Sequence, residues 1–258
     1  MCRLAAYLGP PVTLEQFLLK PPHSLMVQAS APKEMREARL NADGFGFGWY
    51  PEANARPAGY TNPMPIWTDP NLAALGRVLS TGLWLAYVRS ATRRTDVSHA
   101  NTQPFLSDKL IFTHNGYIDR FGDTLRHHIR HALSTECERV IHGNTDSEYL
   151  FALLRQQLFD GRPLETGLAQ MLDLLVGWAA DVRLLLNLVI ADCDRIVATR
   201  HAINGDCPSL YYSTAEPDFP GAGLVASEPL TASGAWQTVP EHSLLTLTAD
   251  GKVTIRPL

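Results

Sequence analysis

Apolar positions along the chain fall into two patterns. Short, nearly continuous apolar runs occur at "RLAAYL" (Arg3 to Leu8), "GLWLAYVRS" (Gly82 to Ser90), "KLIFTHNGYI" (Lys109 to Ile118) and "LLLNLVIAD" (Leu184 to Asp192). Their length and β-branched or aromatic content predict strands buried on both faces. Helical spacing appears in "VTLEQFLLKPPHSL", which Pro21-Pro22 should stop, and at about 123–133 and 145–159. The second of these begins at "NTDSE", where Asn or Thr can cap and acids fill the first turn. The segment from Met171 reads as a helix followed by a strand, since Asp173, Asp181 and Arg183 interrupt it too often for a membrane span. The last third alternates again through "RIVATRH", "SLYYS", "GLVASE" and the hairpin "SLLTLTADGKVTIRP". Strands, then helices, then strands predict a layered α+β architecture, and the missing βαβ rhythm argues against a doubly wound parallel sheet.

In "NADGFGFGWY" the glycines at 44, 46 and 48 alternate with aromatics. This spacing has strand period and lacks the following helix that a dinucleotide-binding loop requires. It predicts a loop entering a strand whose backbone runs close to another part of the protein.

The 258 residues carry 22 basic and 26 acidic side chains, interspersed, for a net charge of −4. That balance points to neither nucleic acid nor an anionic membrane as partner. One domain spanning 1–258 is expected, with no compositional break or internal repeat. Cys2, Cys137, Cys193 and Cys207 form no CxxC pair, so reduced thiols in a cytoplasmic setting are expected rather than disulfides or a cysteine zinc site. No secretory signal is expected, because the early apolar stretch reaches Gly9-Pro10-Pro11 almost at once. His127, His128 and His131 lack an accompanying carboxylate or cysteine motif and read as a solvated helix face, and no metal or cofactor is expected.

The cysteine at position 2 is the candidate nucleophile. Removal of Met1 would leave its thiol beside a free α-amine, whose ordinary pKa of about 7.7–8.0 suits it to accept the thiol proton. Cys2, "YVRSAT" with Arg89 and Thr92, "THNGYI" with Asn115-Gly116, and "NTDSE" with Asp146 occur in an order that resembles the class II glutamine amidotransferase domain, an N-terminal-nucleophile (Ntn) hydrolase. "PPHSL", "NADGFGFGWY" and "NTQPF" further resemble its stand-alone branch that removes a γ-glutamyl group in ergothioneine biosynthesis; a glutathione-degrading branch is similar in the same places.

The resemblance implies a four-layer αββα sandwich with two stacked antiparallel sheets. It implies Cys2 as nucleophile, with the Asn115 side chain and the Gly116 N–H stabilising the oxyanion. Arg89 would hold the α-carboxylate of a small γ-glutamyl substrate and Asp146 its α-ammonium, with Thr92 and Asn101 shaping the pocket. His114 reads as structural. Gln103 and Arg93 stand where many amidotransferases have histidines, which leaves the departing group open. The leading expectation is hydrolysis of a γ-glutamyl amide through a Cys2 thioester. A glutaminase passing ammonia to a separate synthase partner, or a glutathione-degrading γ-glutamyl peptidase, is the alternative.

Overall fold

The computed structural model describes residues 2–35, 40–52, 56–91 and 95–258. Their strands, in chain order, are β1 (Arg3–Thr13), β2 (Phe45–Trp49), β3 (Ala58–Asn62), β4 (Ser80–Val88), β5 (Phe105–Ser107), β6 (Leu110–Ile118) and β7 (Leu184–Asp192). These are followed by β8 (Arg195–Arg200), β9 (Ala202–Ile203), β10 (Tyr211–Ser213), β11 (Gly223–Ala226), β12 (Gln237–Thr238), β13 (Ser243–Thr248) and β14 (Val253–Pro257). The α-helices are α1 (Leu14–Leu18), α2 (Leu25–Ser30), α3 (Leu72–Val78), α4 (Arg126–Ala132), α5 (Thr135–Glu138), α6 (Asp146–Phe159) and α7 (Leu164–Ala179).

One sheet has the order β12-β10-β11-β1-β4-β2-β3, and the other runs β14-β13-β8-β7-β6-β5 with β9 also paired to β7. Every pairing is antiparallel. Side-chain alternation builds the layers. Leu4, Ala6 and Leu8 of β1 meet Ile111, Val189, Ala198 and Leu245 between the sheets. Ala5 and Tyr7 point the other way, onto Phe17 and Leu18 of α1. Leu110 and Phe112 of β6 face Leu150, Leu154, Leu168 and Leu172 of α6 and α7. The apolar runs are continuous because each strand is covered on both faces. The protein is an Ntn-type αββα sandwich, as its motifs implied.

Local departures have local causes. β1 continues through Gly9-Pro10-Pro11 to Thr13 instead of stopping at Leu8, because a register shift between Leu8 and Val12 takes the two prolines out of the β1–β4 ladder. The helix expected at about 123–133 is shorter, Arg126–Ala132, and His127 and His131 on it are exposed. The other helix begins as expected: Thr145 caps α6 by accepting the Glu148 N–H, with Asp146 and Glu148 in its first turn. The glycines of β2 allow close approach. A Cβ on Gly46 would strike the Gln103 carbonyl, and one on Gly48 would lie 2.8 Å from Ile111 Cγ2. Phe45 and Phe47, between them, are fully buried under the α1–α3 layer, so this aromatic-glycine stretch is a packing element. Among the described residues no helix is long and apolar enough to cross a membrane.

Candidate active site

β1 lies fourth of seven strands, so Cys2 stands at the end of the sheet's middle strand. The β1–β4 register pairs Arg3 with Val88 and Leu4 with Tyr87; carried one residue further, it sets Cys2 beside Arg89. The Cys2 Sγ accepts the Ser90 N–H at 3.3 Å and reaches the Ser90 carbonyl at 3.4 Å. Cys2 is 6% exposed. By alternation along β4, Tyr87 and Arg89 point into the same inter-sheet layer as Cys2. Burial, followed by its interactions with the Cys2 thiol, raises the Tyr87 phenol well above its ordinary range, and the charges of Arg89 and Asp146 also reach it. Tyr87 is thus the common neighbour of three residues singled out in the sequence.

Arg89 is almost fully buried. Its guanidinium donates to the Asp96 carbonyl at 3.0 Å and to Thr95 Oγ1 at 3.3 Å. Its backbone is braced by the loop before β2, where Asp43 donates its N–H to the Arg89 carbonyl and Gly44 accepts the Arg89 N–H. The Asp43 carboxylate also accepts the Ala91 N–H at 2.7 Å. Asn101 joins loops: its Nδ2 donates to the Asp96 carbonyl and to Asn144 Oδ1, and its Oδ1 accepts the Asn144 N–H. Its hydrogen bonds therefore link the Asp96 carbonyl, which Arg89 also engages, to Asn144, two residues before Asp146. Thr92 and Arg93, like Met1, lie outside the described residues.

On β6 alternation separates two neighbours. His114 points to the helices, where its ring lies 2.9 Å from Ser147 Oγ and 2.7 Å from the Leu185 carbonyl. The carbonyl requires a proton on Nε2, so Nδ1 of the neutral ring accepts from Ser147. Burial lowers the His114 pKa despite the Asp146 charge, and the residue is structural. Gln103, standing where many amidotransferases have histidine, accepts the His114 N–H at 2.6 Å and donates to its carbonyl at 3.2 Å. It completes the backbone pairing of β6.

Asn115 points the opposite way, toward the Cys2 sheet, with its Nδ2 3.0 Å from Ser227 Oγ and its buried Oδ1 without a partner among the described residues. Ser227 Oγ also accepts the Leu4 N–H at 3.1 Å. Turning the Asn115 amide end for end lets the Ser227 hydroxyl donate to Oδ1 and leaves Nδ2 as an unengaged donor. Gly116 follows. A Cβ there would collide with the Leu185 carbonyl and sit 2.6 Å from His114 Nε2. Gly116→Ala is expected to push β6 away from β7 and lower stability by about 1–3 kcal/mol. Urea unfolding checks this, with Gly122→Ala, whose Cβ would meet nothing within 4 Å, as the neutral control.

The Asp146 carboxylate ties α6 to β6. Its Oδ2 accepts the Ile118 N–H at 2.7 Å, and its Oδ1 accepts the Ser147 N–H at 2.7 Å. A helix N-terminus and two amides keep a buried carboxylate favourably placed.

Beneath Cys2 lies a group that the sequence did not announce. Arg3 is wholly buried; its Nε donates to the Cys2 carbonyl at 2.6 Å and its Nη1 to Glu228 Oε1 at 2.8 Å. Glu228 Oε2 lies 2.7 Å from His23 Nε2, and the carboxylate accepts the amides of Lys33 and Glu34. Burial alone would raise the Glu228 pKa, but the bonds from His23 and the two amides, with the Arg3 charge, hold it at about 2. The only local hint was a charged Arg3 inside an apolar strand.

A cavity of about 380 Å³ is lined in part by Lys33, Glu34, Arg183, Leu185, Asp206 and Ser209. Leu185 crowds Gly116, Ser209 Oγ donates to the Ser227 carbonyl at 2.8 Å, and the Arg183 guanidinium lies 5.6 Å from the Tyr117 ring centre.

Residues 24–219 match the sequence model of the family described as "Glutamine amidotransferases class-II". The chain belongs to that family. It is 29% identical over 258 residues to the gamma-glutamyl-hercynylcysteine sulfoxide hydrolase of Mycolicibacterium smegmatis, covering 100% of both chains. It is 28% identical to the probable glutamine amidotransferase DUG3 of Saccharomyces cerevisiae, over 96% of this chain and 82% of that one. Among solved structures, a glutamine aminotransferase class-II domain protein from Silicibacter pomeroyi superposes with a TM-score of 0.73 at 26% identity, covering 100% and 99% of the two chains. Class II glutamine amidotransferase membership agrees with the sandwich topology and with the motif order in the sequence.

Proposed function

We propose that this class II amidotransferase-family protein is a stand-alone hydrolase of γ-glutamyl amides, acting on a substrate of the hercynyl-γ-glutamylcysteine sulfoxide type. The observation that carries this reading is the convergence of Cys2, Tyr87 and Arg89 on one inter-sheet face, with the Asp146 charge within reach of the Tyr87 phenol. The likeness to the mycobacterial hydrolase along both whole chains supports it.

With Met1 removed, the Cys2 amine takes the thiol proton and Sγ attacks the γ-carbonyl. The Asn115 amide, turned to free its Nδ2, and the Gly116 N–H receive the oxyanion. The C–N bond then breaks, the proton passes to the departing amine, and a γ-glutamyl thioester remains. Water hydrolyses it to glutamate and restores the thiol. Arg89 binds the α-carboxylate and Asp146 the α-ammonium of the glutamyl half, with Thr92 and Asn101 completing the wall.

The departing half occupies the cavity that Leu185 lines. Cations at Lys33 and Arg183, with acids at Glu34 and Asp206, suit an amine that carries both a carboxylate and a quaternary ammonium. The test is a hydrolysis panel of glutamine, glutathione, γ-glutamylcysteine and hercynyl-γ-glutamylcysteine sulfoxide with purified protein and no partner. The sulfoxide substrate is expected to give the highest kcat/KM, by tenfold or more over glutamine. Preference for glutamine, or turnover only when a synthase is supplied, replaces this reading with the ammonia-donating one. Preference for glutathione replaces it with the glutathione-degrading one.

A further inference from the structure

On the second sheet, away from the Cys2 thiol, the fold gathers four side chains that the sequence scatters over 42 positions, from His201 to His242. His201 follows β8, His242 immediately precedes β13, and Cys207 lies in the connection leading to β10. Ligand atoms of Cys207, Glu241 and His242 all lie within 4.8 Å of one another. His201 Nδ1 lies 3.1 Å from His242 Nδ1.

Hydrogen bonding accounts for only part of the cluster. His201 meets only another imidazole at Nδ1, and its buried Nε2 has no partner among the described residues. His242 is held at φ +53°, a backbone conformation that costs a bulky side chain energy and is retained where the surroundings impose it. The backbone N–H of His242 lies on the side of the Cys207 sulfur and favours its thiolate form, the form a metal would bind. Glu241 accepts Arg200 through Oε1 at 3.1 Å, which leaves its second oxygen for an ion.

We propose that Cys207, Glu241 and His242 form a binding site for a single Zn2+-class divalent ion, separate from the Cys2 centre, with His201 beside His242 at its edge. One thiolate, one imidazole and one carboxylate, with water in the fourth position, make a set that suits zinc over the hard, oxygen-seeking Mg2+ and Ca2+. On binding, Cys207 loses its thiol proton to solvent as the metal–sulfur bond forms.

The ion would also fix the 204–210 segment. Pro208 and Ser209 in that segment accept Asn187 Nδ2, and Ser209 holds the Ser227 carbonyl, so a bound ion would stiffen the wall of the cavity that Ser209 lines.

The test uses full-length protein stripped with a chelator, in parallel with a Cys2→Ala form that removes the catalytic thiol as a competing ligand. Zn2+ is titrated against a chromophoric chelator, and Co2+ is followed by its sulfur-to-metal charge-transfer absorption. The Cys2→Ala protein should bind one equivalent of Zn2+ at micromolar Kd or tighter, show the Co2+–thiolate band, and melt at a higher temperature with Zn2+ than without. Adding Cys207→Ala should remove the band, and adding His242→Ala should weaken Zn2+ at least tenfold. Binding weaker than 100 µM, or binding that survives both changes within threefold, overturns the proposal. Circular dichroism of each variant separates loss of ligands from loss of fold.

Discussion

Cys2→Ala is expected to lower turnover by at least about 10⁴-fold while leaving the fold in place, the scale of loss seen when an enzyme's nucleophile is removed. Alanine is small enough to fit at a site that is 6% exposed, and it preserves the conditions for Met1 removal, so only the sulfur is withdrawn. Steady-state kinetics on a γ-glutamyl amide, with the Tm of the variant beside them, measure the effect. Intact-mass measurement of active wild-type protein should show Met1 missing, because the amine can act as base only when it is free. A near-wild-type rate in the variant, or full activity with Met1 retained, returns Cys2 to the role of a small core residue.

Glu228→Ala should be the most destabilising single substitution in the region around the site, by about 3–5 kcal/mol. It strands the wholly buried Arg3 charge and removes the acceptor for the Lys33 and Glu34 amides. Because Arg3 also donates to the Cys2 carbonyl, the nucleophile's backbone should loosen with it, and residual folded protein should turn over more slowly. Arg3→Met added to Glu228→Ala is expected to recover part of the stability, since the second change removes the uncompensated charge.

The same carboxylate predicts an acid limb. Its folded pKa of about 2 lies below the usual value near 4.5, so the unfolded chain takes up the proton first as pH falls. The stabilisation is complete above about pH 4.5, is of the order of 3 kcal/mol, and is lost as pH falls toward 2. Urea unfolding across that window should show a steep loss in the wild type that Glu228→Gln flattens.

The elements legible in the sequence are those whose cause is local. Apolar runs fix strands because every second side chain shares a face, and Thr145 fixes the start of α6 because its oxygen reaches an amide three residues on. The family's motifs were legible by their order and residue types, and they pointed to Cys2, Arg89, Asn115-Gly116 and Asp146 as the candidate site. The strand-period glycines of β2 also announced a close approach, although not what would be approached.

Contacts across the sheets had no local signal. Arg3 meets Glu228 over 225 positions and Asn115 meets Ser227 over 112, and nothing in "GLVASE" marks its Ser-Glu end as the support of the nucleophile. Gln103 reads as a lost histidine in the sequence, but the fold makes it the backbone partner of His114. His201, Cys207, Glu241 and His242 have no metal-motif spacing, and the β8–β13 pairing brings the two histidines together. Sequence determined which residues share a face because strand and helix periods are properties of the local backbone. Tertiary structure decided which faces meet, because sheet order and register are set by burying all of the apolar faces at once, and a single residue's slip would turn each side chain to the opposite layer.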